Sequence, residues 1–413
     1  MARTPARLIP AWSTHDGEWR DPAQVISQWS DARRAEPGLL KFVARGKWWQ
    51  VLSEHRITLL VTREYEHLVL AVSPYGRSQT YLRLPHPSGL VVDRKRGVVH
   101  LASTRNPNQV FQLAPVQRLI DRTDVNLDSD GSIEEDHPLV PVRSTTLPGS
   151  FYIHDLAMVG SQLYANAVGQ NCVVRMRVDG RVERAWWPRA IETPDGPVFT
   201  RNHLQLNSIA AGATLQRSFF SASTDAMSTR RPSHRNFPVD RRGVIFSGAS
   251  RDVIARGLTR PHSARFNAGA LWVDNSGYGE LGVVAAGKFE PHVRLPGWTR
   301  GLSFHDGIAF VGTSRVIPRF RQFAPGVDPA RSVCGVHAID VTRGAVLGSM
   351  VWPAGNQIFA IDWMPSSFSR GLPFRTGRRF CQLGRLPGFP AWHESVCVQS
   401  VSGHQRQPSK TAG

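Results

Sequence analysis

Cysteine is scarce in this sequence, and none of its four cysteines is spaced for metal binding or redox exchange. Cys172, Cys334, Cys381 and Cys397 lie far apart among 413 residues, with no CxxC motif and no Cys/His ligand spacing. The spacing excludes the common zinc and dithiol-redox motifs. We expect reduced thiols in the core or in the C-terminal tail.

Long apolar runs are also missing. No run of 18 apolar residues occurs, and the N-terminal stretch MARTPARLIPAWSTHDGEW contains no apolar run long enough for a signal peptide. The sequence therefore predicts a cytoplasmic protein that does not enter a membrane.

The standard catalytic motifs are absent too. Without GxSxG, HExxH or a Walker sequence, the serine-hydrolase, zincin and nucleoside-triphosphatase mechanisms have no support. One run, DVNLDSDGSIEEDH (124 to 137), resembles a calcium-binding loop. However, Asn126 and His137 occupy the positions where an EF-hand loop carries Asp and Glu. We interpret this run as a solvated acidic insertion.

Lysine is rare, so arginine carries the positive charge. Only five of the 50 basic residues are lysines, and with 32 acidic residues the formal net charge is +18. An excess of positive charge favours anionic partners. The arginines are scattered singly, and no helix-turn-helix, zinc-finger or RNA-binding motif accompanies them, which argues against nucleic acid. A small anionic or polar metabolite is the partner that the sequence favours.

The sequence is rich in short strands separated by turns, with 36 Gly and 29 Pro spread along it. Six apolar strands that each carry a polar residue follow turns, most of which contain Pro. They are PSGLVVD (87 to 93), FYIHDLAMV (151 to 159), LQLNSIAAG (204 to 212), RPHSARFN (260 to 267), WTRGLSFHD (298 to 306) and QIFAIDW (357 to 363). A second strand follows each of the first five after a turn. Such a repeat is typical of propeller blades.

The two ends of the repeat complement each other. Residues 57 to 84 contain three strands without an inner partner, whereas QIFAIDW is an inner strand without outer partners. Pairing them closes a ring and removes exposed sheet edges. The sequence therefore predicts an all-β fold, a six-bladed β-propeller closed by pairing of N-terminal strands with a C-terminal inner strand.

Segments outside the repeat complete the predicted domain organisation. Residues 1–56 form a helical segment that packs on the ring, with one helix beginning at Asp21 and a second, through Trp48, capping one end of the ring. The propeller spans residues 57–365. Residues 366–413 lose strand periodicity and are predicted to be a basic, mobile tail.

Alignment of the six inner strands places one residue of each at an equivalent position. These column residues are Ser88, His154, Asn207, His262, Arg300 and Phe359. Polar residues on inner strands converge on the channel of a propeller, which suits a small-molecule site. We predict catalytic roles for His154, His262 and Arg300, and ligand-binding roles for Ser88 and Asn207.

The chemistry of this set stays open between two versions. In the first, His154, Asn207 and His262 hold a divalent metal while Arg300 binds a carboxylate or phosphate. In the second, a neutral histidine acts as general base and Arg300 stabilises an enolate or oxyanion. A purely structural reading is that these side chains satisfy channel waters and backbone groups.

Three further residues extend the predicted ligand-binding set. Asn166 and Asp274 lie near the ends of second strands, at one mouth of the channel, and Gln357 begins the last inner strand. Asp155 follows His154, so the two-residue period of a strand directs it to a neighbouring blade.

Five segments of the sequence resemble a bacterial propeller family of unknown function that is sometimes attached to tetratricopeptide-repeat proteins. They are IHDLA, LNSIA, RPHSARFNAGALWVDNSGYGELG, RLPGWTRGLSFHDGIAFVGTS and CGVHAIDVTRGAVLG. The resemblance covers roughly residues 45–365 and implies the fold and an axial pocket. More distantly, the architecture is similar to gluconolactonase-like propellers, which hold a divalent cation on the axis with carboxylates and asparagines. This chain offers two histidines and an arginine instead.

Two classes of function remain open at this level. The axial pocket binds a small anionic or polar metabolite and carries out a hydrolase, lyase or isomerase step on it. Alternatively, the propeller is a non-catalytic scaffold that binds a protein partner through one face, with its Arg-rich loops supplying electrostatic attraction. The sequence does not decide whether the protein is an enzyme.

Overall fold

The computed structural model describes residues 34–104, 108–115, 137–147, 149–228 and 230–375. Two helices, α1 (Pro37–Leu40) and α2 (Trp48–Glu54), precede the ring, and the remaining elements are strands and single 3₁₀ turns. In chain order the strands are β1 (Val43–Gly46), β2 (Ile57–Arg63), β3 (Leu68–Ser73), β4 (Ser78–Arg83), β5 (Pro87–Asp93), β6 (Val98–Ser103), β7 (Asn108–Pro115), β8 (Leu139–Leu147), β9 (Ile153–Val159), β10 (Gln162–Ala167), β11 (Cys172–Met176), β12 (Val182–Trp186), β13 (Glu192–Thr193), β14 (Gly196–Pro197), β15 (Leu206–Ala210), β16 (Phe219–Ala222), β17 (Gly243–Ser247), β18 (Val253–Leu258), β19 (Pro261–Asn267), β20 (Ala270–Asn275), β21 (Glu280–Ala285), β22 (Lys288–Arg294), β23 (Trp298–His305), β24 (Ile308–Ser314), β25 (Gly335–Asp340), β26 (Ala345–Val351), β27 (Ala360–Pro365) and β28 (Phe374–Arg375).

Six antiparallel sheets form the blades of a propeller. From the axis outward, their strands run β27-β2-β3-β4 in blade 1, β5-β6-β7-β8 in blade 2, β9-β10-β11-β12 in blade 3, β15-β16-β17-β18 in blade 4, β19-β20-β21-β22 in blade 5 and β23-β24-β25-β26 in blade 6. The inner strands contact one another in this order, and β27 contacts both β23 and β5, which closes the ring. The predicted six-bladed propeller is confirmed.

Two separate strand pairings close the ring. The C-terminal inner strand β27 pairs with β2 over six residues, from Ile57 opposite Pro365 to Thr62 opposite Ala360, as the sequence predicts. In addition, the N-terminal strand β1 pairs with β26 and becomes a fifth, outermost strand of blade 6. Both ends of the repeat therefore hold blades 1 and 6 together.

Helix α2 lies at the outer side of the ring and does not cap its channel. It packs against β26, where a Cβ on Gly348 would lie 2.3 Å from the Trp48 backbone nitrogen. The buried Trp48 ring contacts Phe310 edge-on at 6.3 Å. The expectation that this helix caps one end of the ring is wrong, because its main contacts are with β26 and β1 of blade 6 and with β2 of blade 1 rather than with the inner strands around the channel.

The chain continues in contact with the ring beyond the predicted propeller boundary at residue 365. Phe374 pairs with Tyr81 on β4, and Leu372 and Phe374 are buried.

The thiols of Cys172 and Cys334 are free and buried, and burial raises the pKa of each to about 12, so both are unreactive core residues. The predicted helix at Asp21, nearly all of the acidic insertion 124–137, and Cys381, Cys397 and the rest of the tail lie outside the described residues. No helix in the described ranges is long and apolar enough to span a membrane.

Blade 6 contains a buried histidine that makes stability depend on pH. His337 lies between the hydroxyls of Thr313 and Ser349, at 3.0 and 2.8 Å, and burial lowers its pKa to about 4. Below its unfolded value near 6.5, only the unfolded chain takes up the proton, so stability falls as the pH drops from 6.5 towards 4. At about 1.4 kcal/mol per pH unit, we expect His337 to account for about 2 kcal/mol of lost stability by pH 5. Denaturant unfolding of the wild type and of His337→Gln at pH 6.5 and pH 5 checks this. An equally large loss of stability between these pH values in the variant would contradict it.

Candidate ligand-binding site on the propeller axis

The inner strands begin with an unusual backbone that directs their side chains to the axis. In four of the six blades the residue two positions before the column residue is left-handed, with φ between 44° and 53°: His86, Tyr152, Gln205 and Arg260. The pairing of inner and second strands then shifts register at or beside the column residue in blades 2 to 6. Such bulges change the direction in which a side chain points, and they are frequent next to active sites.

Four of the predicted site residues meet in one cavity. His154, Asn207, His262 and Arg300 line it together with Phe359, the column residue of blade 1. The cavity has a volume of about 10 Å³. This is the room that roughly one water molecule needs. The predicted convergence is present, but the space between the side chains is much smaller than an enclosed metabolite requires.

Arg300 is a buried cation whose guanidinium has no hydrogen-bond acceptor among the described residues. Its side chain is 6% exposed, and its guanidinium lies 3.3 Å from the centroid of the Phe359 ring. Among the hydrogen bonds of the described residues, none is donated by this guanidinium. Burial lowers its pKa to about 10, so Arg300 stays charged at neutral pH. The carboxylates of Glu64, Asp155 and Asp274 attract this charge, but none of them accepts a hydrogen bond from it. A buried charge without hydrogen bonds is costly.

A second arginine, Arg260, adds positive charge to the same region. Its guanidinium lies 4.7 Å from the Phe323 ring centroid and donates one hydrogen bond, of 3.3 Å, to the Pro232 carbonyl. Burial and the nearby charge of Arg300 lower the pKa of Arg260 to about 9. No sequence pattern marks this residue, which directly precedes the inner strand β19 of blade 5. The two arginine charges therefore act on each other, and both act on His262.

Hydrogen bonds fix the tautomer of His262. The Ser276 hydroxyl donates to the Thr299 carbonyl at 2.5 Å, so it accepts a hydrogen bond from Nδ1 of His262 at 2.9 Å. Nε2 is then the unprotonated nitrogen. Burial, followed by the charges of Arg300 and Arg260, holds the pKa of His262 well below its usual range. A group with so low a pKa is a weak general base and serves better as a hydrogen-bond acceptor.

Asn207 contributes a second acceptor. Its amide nitrogen donates to the Pro261 carbonyl at 2.9 Å and to the Ser223 hydroxyl at 3.2 Å. Its buried carbonyl oxygen Oδ1 has no hydrogen-bond partner in the described structure. His154 is half-buried, and its ring contacts Phe359 edge-on at 5.4 Å. The cavity thus combines donors on Arg300 with acceptors on Asn207 and His262.

The other predicted site residues do not line this cavity. The Ser88 hydroxyl donates to the Ile153 carbonyl of blade 3 at 2.7 Å. The Asn166 amide accepts from the backbone nitrogens of His154 and Asp155 and donates to the Leu206 carbonyl, so it holds blade 3 against blade 4. Asp274 and Gln357 are buried outside the cavity lining, and burial raises the pKa of Asp274 well above its usual range.

A buried ion pair lies in the next layer of the channel. Asp155 binds Arg265 of blade 5 in bidentate fashion, with Nη1–Oδ2 at 2.7 Å and Nη2–Oδ1 at 2.9 Å. Its Oδ2 also accepts from the backbone nitrogen of Ile209 in blade 4 at 2.9 Å. Asp155 therefore joins three blades, in line with the prediction that it bonds a neighbouring blade, and both charged residues border the cavity.

Comparison with known proteins identifies a family. A family model described as "Domain of unknown function (DUF4915)" matches residues 46–370. None of the curated proteins matches the sequence. Similar solved structures include a chain of a nidogen/laminin complex (9% identity, 75% of this chain and 99% of that chain, TM-score 0.49), virginiamycin B lyase from Staphylococcus aureus (11%, 75% and 99%, 0.39) and a gluconolactonase from Xanthomonas campestris (12%, 72% and 86%, 0.41). None of these similarities identifies a ligand for this chain.

Proposed function

Because the chain belongs to the DUF4915 family, whose description names no activity, we propose a function from the axial site itself: it binds the anionic group of a small hydroxylated metabolite, such as a hydroxycarboxylate. The observation that carries the proposal is Arg300, a buried cation with no acceptor among the described residues. A carboxylate is the group that a guanidinium binds best, because two parallel hydrogen bonds match the two oxygens.

The acceptors beside Arg300 explain the hydroxyl in the proposed ligand. A carboxylate alone would leave Oδ1 of Asn207 and Nε2 of His262 without a donor. A hydroxyl group next to the carboxylate donates a hydrogen bond to one of these two acceptors. The oxygen of the same hydroxyl accepts a hydrogen bond from the Arg300 guanidinium. Since the closed cavity is about 10 Å³, the ligand inserts only its terminal group, and Phe359 or His154 shifts to admit it.

A metal on the axis fits this environment less well. His154, Asn207 and His262 were the candidate ligands, but the charges of Arg300 and Arg260 act on His262 and would repel a cation there. The acid–base version through His262 needs this histidine to titrate near neutral pH, and its pKa is well below that range, so His262 is poorly suited as a general base. Binding is therefore the activity that the site supports, and a catalytic step on the bound metabolite is not part of the proposal.

The Arg300→Met variant tests the proposal through two opposite effects. Loss of a charge-assisted hydrogen bond costs about 1.5–3 kcal/mol, so we expect at least a ~10-fold weaker affinity for whichever hydroxycarboxylate the wild type binds. The same change removes a buried charge that makes no hydrogen bond to the described residues, which outweighs the lost contact with Phe359 and the attraction of the surrounding carboxylates, so stability without ligand stays equal or rises by roughly 1–2 kcal/mol. Thermal shift against a carboxylate and phosphate panel, followed by calorimetry, measures both quantities.

The exposed Arg256, which pairs with Asp225 at the surface, supplies the matched control. Arg256→Met removes the same charge from the net total and should leave both affinity and stability nearly unchanged. If Arg300→Met bound anions as tightly as wild type, or lost several kcal/mol of stability without a ligand, Arg300 would be a structural residue and the proposal would fail.

A second candidate is the protein-binding scaffold, which the filled channel favours. Phe359 occupies the axis, and Trp298 packs edge-on against His262 at 5.6 Å, so little space remains for any ligand. If no carboxylate or phosphate in the panel stabilises the wild type, the scaffold becomes the better proposal. Cross-linking followed by mapping of cross-links to one face of the ring would then test it.

A further inference from the structure

Two histidines and an aspartate meet at the C-terminal end of inner strand β23, five residues beyond Arg300. They are His55, which follows α2, His305, the last residue of β23, and Asp306, the residue after it. At ~3.3 Å per residue, the cluster lies roughly 17 Å along the strand from the axial cavity. Neither the sequence column nor the axial site includes these residues.

The donor atoms of this cluster have the spacing that a metal ion requires. Oδ2 of Asp306 lies 3.2 Å from Nε2 of His305 and 3.8 Å from Nδ1 of His55, and the three donor atoms lie within 4.8 Å of one another. Ligand atoms at ~2.0–2.2 Å from a tetrahedral zinc ion stand about 3.4 Å apart. Small side-chain rotations therefore bring all three donors to bonding distance.

Three separate local contacts fix the positions of His55, His305 and Asp306. Asp306 (φ 43°) and Gly307 (φ 78°) form a two-residue left-handed turn between β23 and β24, as Asp-Gly does in a type I′ hairpin. His55 precedes the left-handed Arg56, whose carbonyl accepts a hydrogen bond from the Ser366 nitrogen at 2.9 Å. The His305 ring packs against Trp363 with 4.0 Å between centroids.

An ordinary ion pair does not account for this arrangement. Asp306 is 73% exposed, and an ion pair at the surface contributes little to stability. Pairing with a single histidine would already satisfy the carboxylate, so stability alone does not explain why two imidazoles face the same carboxylate oxygen. Beside the cluster lies a groove of about 610 Å³, lined by His55, His305, Trp363 and Arg56 among others.

From this geometry we propose that His55, His305 and Asp306 form a site for a divalent transition-metal ion such as zinc, whose remaining coordination positions open into the groove. Two imidazoles and one carboxylate are a donor set that suits zinc and its neighbours rather than calcium or magnesium. Three protein ligands with an open position are the arrangement of metal sites that bind a further ligand. The ion ties the segment after α2 to blade 6. This proposal is independent of anion binding on the axis.

Zinc titration of the full chain, without an added histidine tag and after treatment with a chelator, tests the site. Calorimetry should show one zinc ion per chain at this site, and cobalt should give visible absorption of a site with nitrogen and oxygen ligands. Asp306→Asn is the decisive variant, because asparagine tolerates the left-handed backbone and the turn is exposed, so the fold is kept. We expect at least ~10-fold weaker zinc binding, since even outer-shell partners of a metal cost that much.

His55→Gln and His305→Gln should weaken binding at least as strongly, while His234→Gln, an exposed histidine of the blade 4 loop, serves as the matched control and should change nothing. Absence of stoichiometric zinc binding, or equal affinity in wild type and Asp306→Asn, overturns the proposal. Because the probe is zinc and the variants leave Arg300 intact, failure of this site and failure of the axial anion site are distinguishable.

Discussion

A chain that ends before Asn356 is expected to yield no soluble, cooperatively folded protein. The truncation removes β27, the inner strand of blade 1, and leaves the backbone groups of β2 unpaired over six residue pairs. It also opens the contacts of β27 with the inner strands of blades 6 and 2, so the ring loses its closure. The long unpaired edge of β2 is a template for aggregation.

The lost apolar burial alone is comparable to the stability of a domain. Ile358, Phe359, Ile361 and Met364 are all at most 4% exposed. Burial of such side chains contributes roughly 1.5–3 kcal/mol each, hence about 6–12 kcal/mol for the four. Whole domains are stable by ~5–15 kcal/mol. Size-exclusion chromatography and thermal unfolding measure the outcome, and a soluble monomer with a sharp transition would contradict ring closure through β27.

Longer chains provide the matched controls. A chain that ends after Arg375 keeps every described contact of the ring and should melt like the full chain. A chain that ends after Ser367 loses the buried Leu372 and Phe374 and the pairing of β28 with β4, so we expect an intermediate loss of stability. The sequence boundary at residue 365 stays a prediction that this series tests.

The blade count and the closure could be predicted because they depend on local patterns. Each inner strand carries its own turn and apolar alternation, and strand β5 begins and ends where the segment PSGLVVD does. The short outer strands β1 and β28 were not predicted. They pair with edges formed by residues far away in the sequence, and their own residues show no strand periodicity.

The axial site was predictable in position but not in detail. A column of equivalent residues must converge in a ring, and four of its polar members do. The column also contains Phe359, whose ring fills the centre, and how far one side chain fills a channel depends on rotamers that no sequence pattern reveals. Asn166 and Ser88 bond to backbone groups of the next blade, a role that polar residues in strands can take equally well.

Residues joined only by tertiary contacts escaped sequence reasoning. His55 and His305 belong to segments 250 residues apart, and only the ring closure between blades 6 and 1 brings them together. Arg260 was visible as the residue before Pro261, yet its left-handed backbone and its burial beside Arg300 have no signature in the sequence.

Arg265→Met is expected to destabilise the fold by about 3 kcal/mol. The substitution keeps an apolar side chain of similar length but leaves Asp155, which is 3% exposed, without its bidentate partner. Removal of one member of a buried ion pair costs about 3–5 kcal/mol. We expect the lower end, because the backbone nitrogens of Ile209 and Leu156 still donate to the carboxylate.

The double variant Asp155→Asn/Arg265→Met separates loss of the ion pair from loss of packing. Asparagine removes the charge while its oxygen still accepts from the Ile209 nitrogen, so no uncompensated buried charge remains. We expect the double variant to be more stable than Arg265→Met alone by about 1–2 kcal/mol, since the two residues are coupled. Arg175→Met, which breaks the exposed pair with Glu183, is the control and should change stability little.

Denaturant unfolding of the wild type, the single variants Asp155→Asn and Arg265→Met, and the double variant gives the coupling energy directly, with Arg175→Met measured beside them as the control. If Arg265→Met were no less stable than Arg175→Met, the ion pair would not hold the axis. If the double variant were less stable than Arg265→Met, the contribution of Arg265 would lie in packing. The expected order places the charge of Asp155, shared by blades 3, 4 and 5, as the reason why an arginine must stand at this position of the ring.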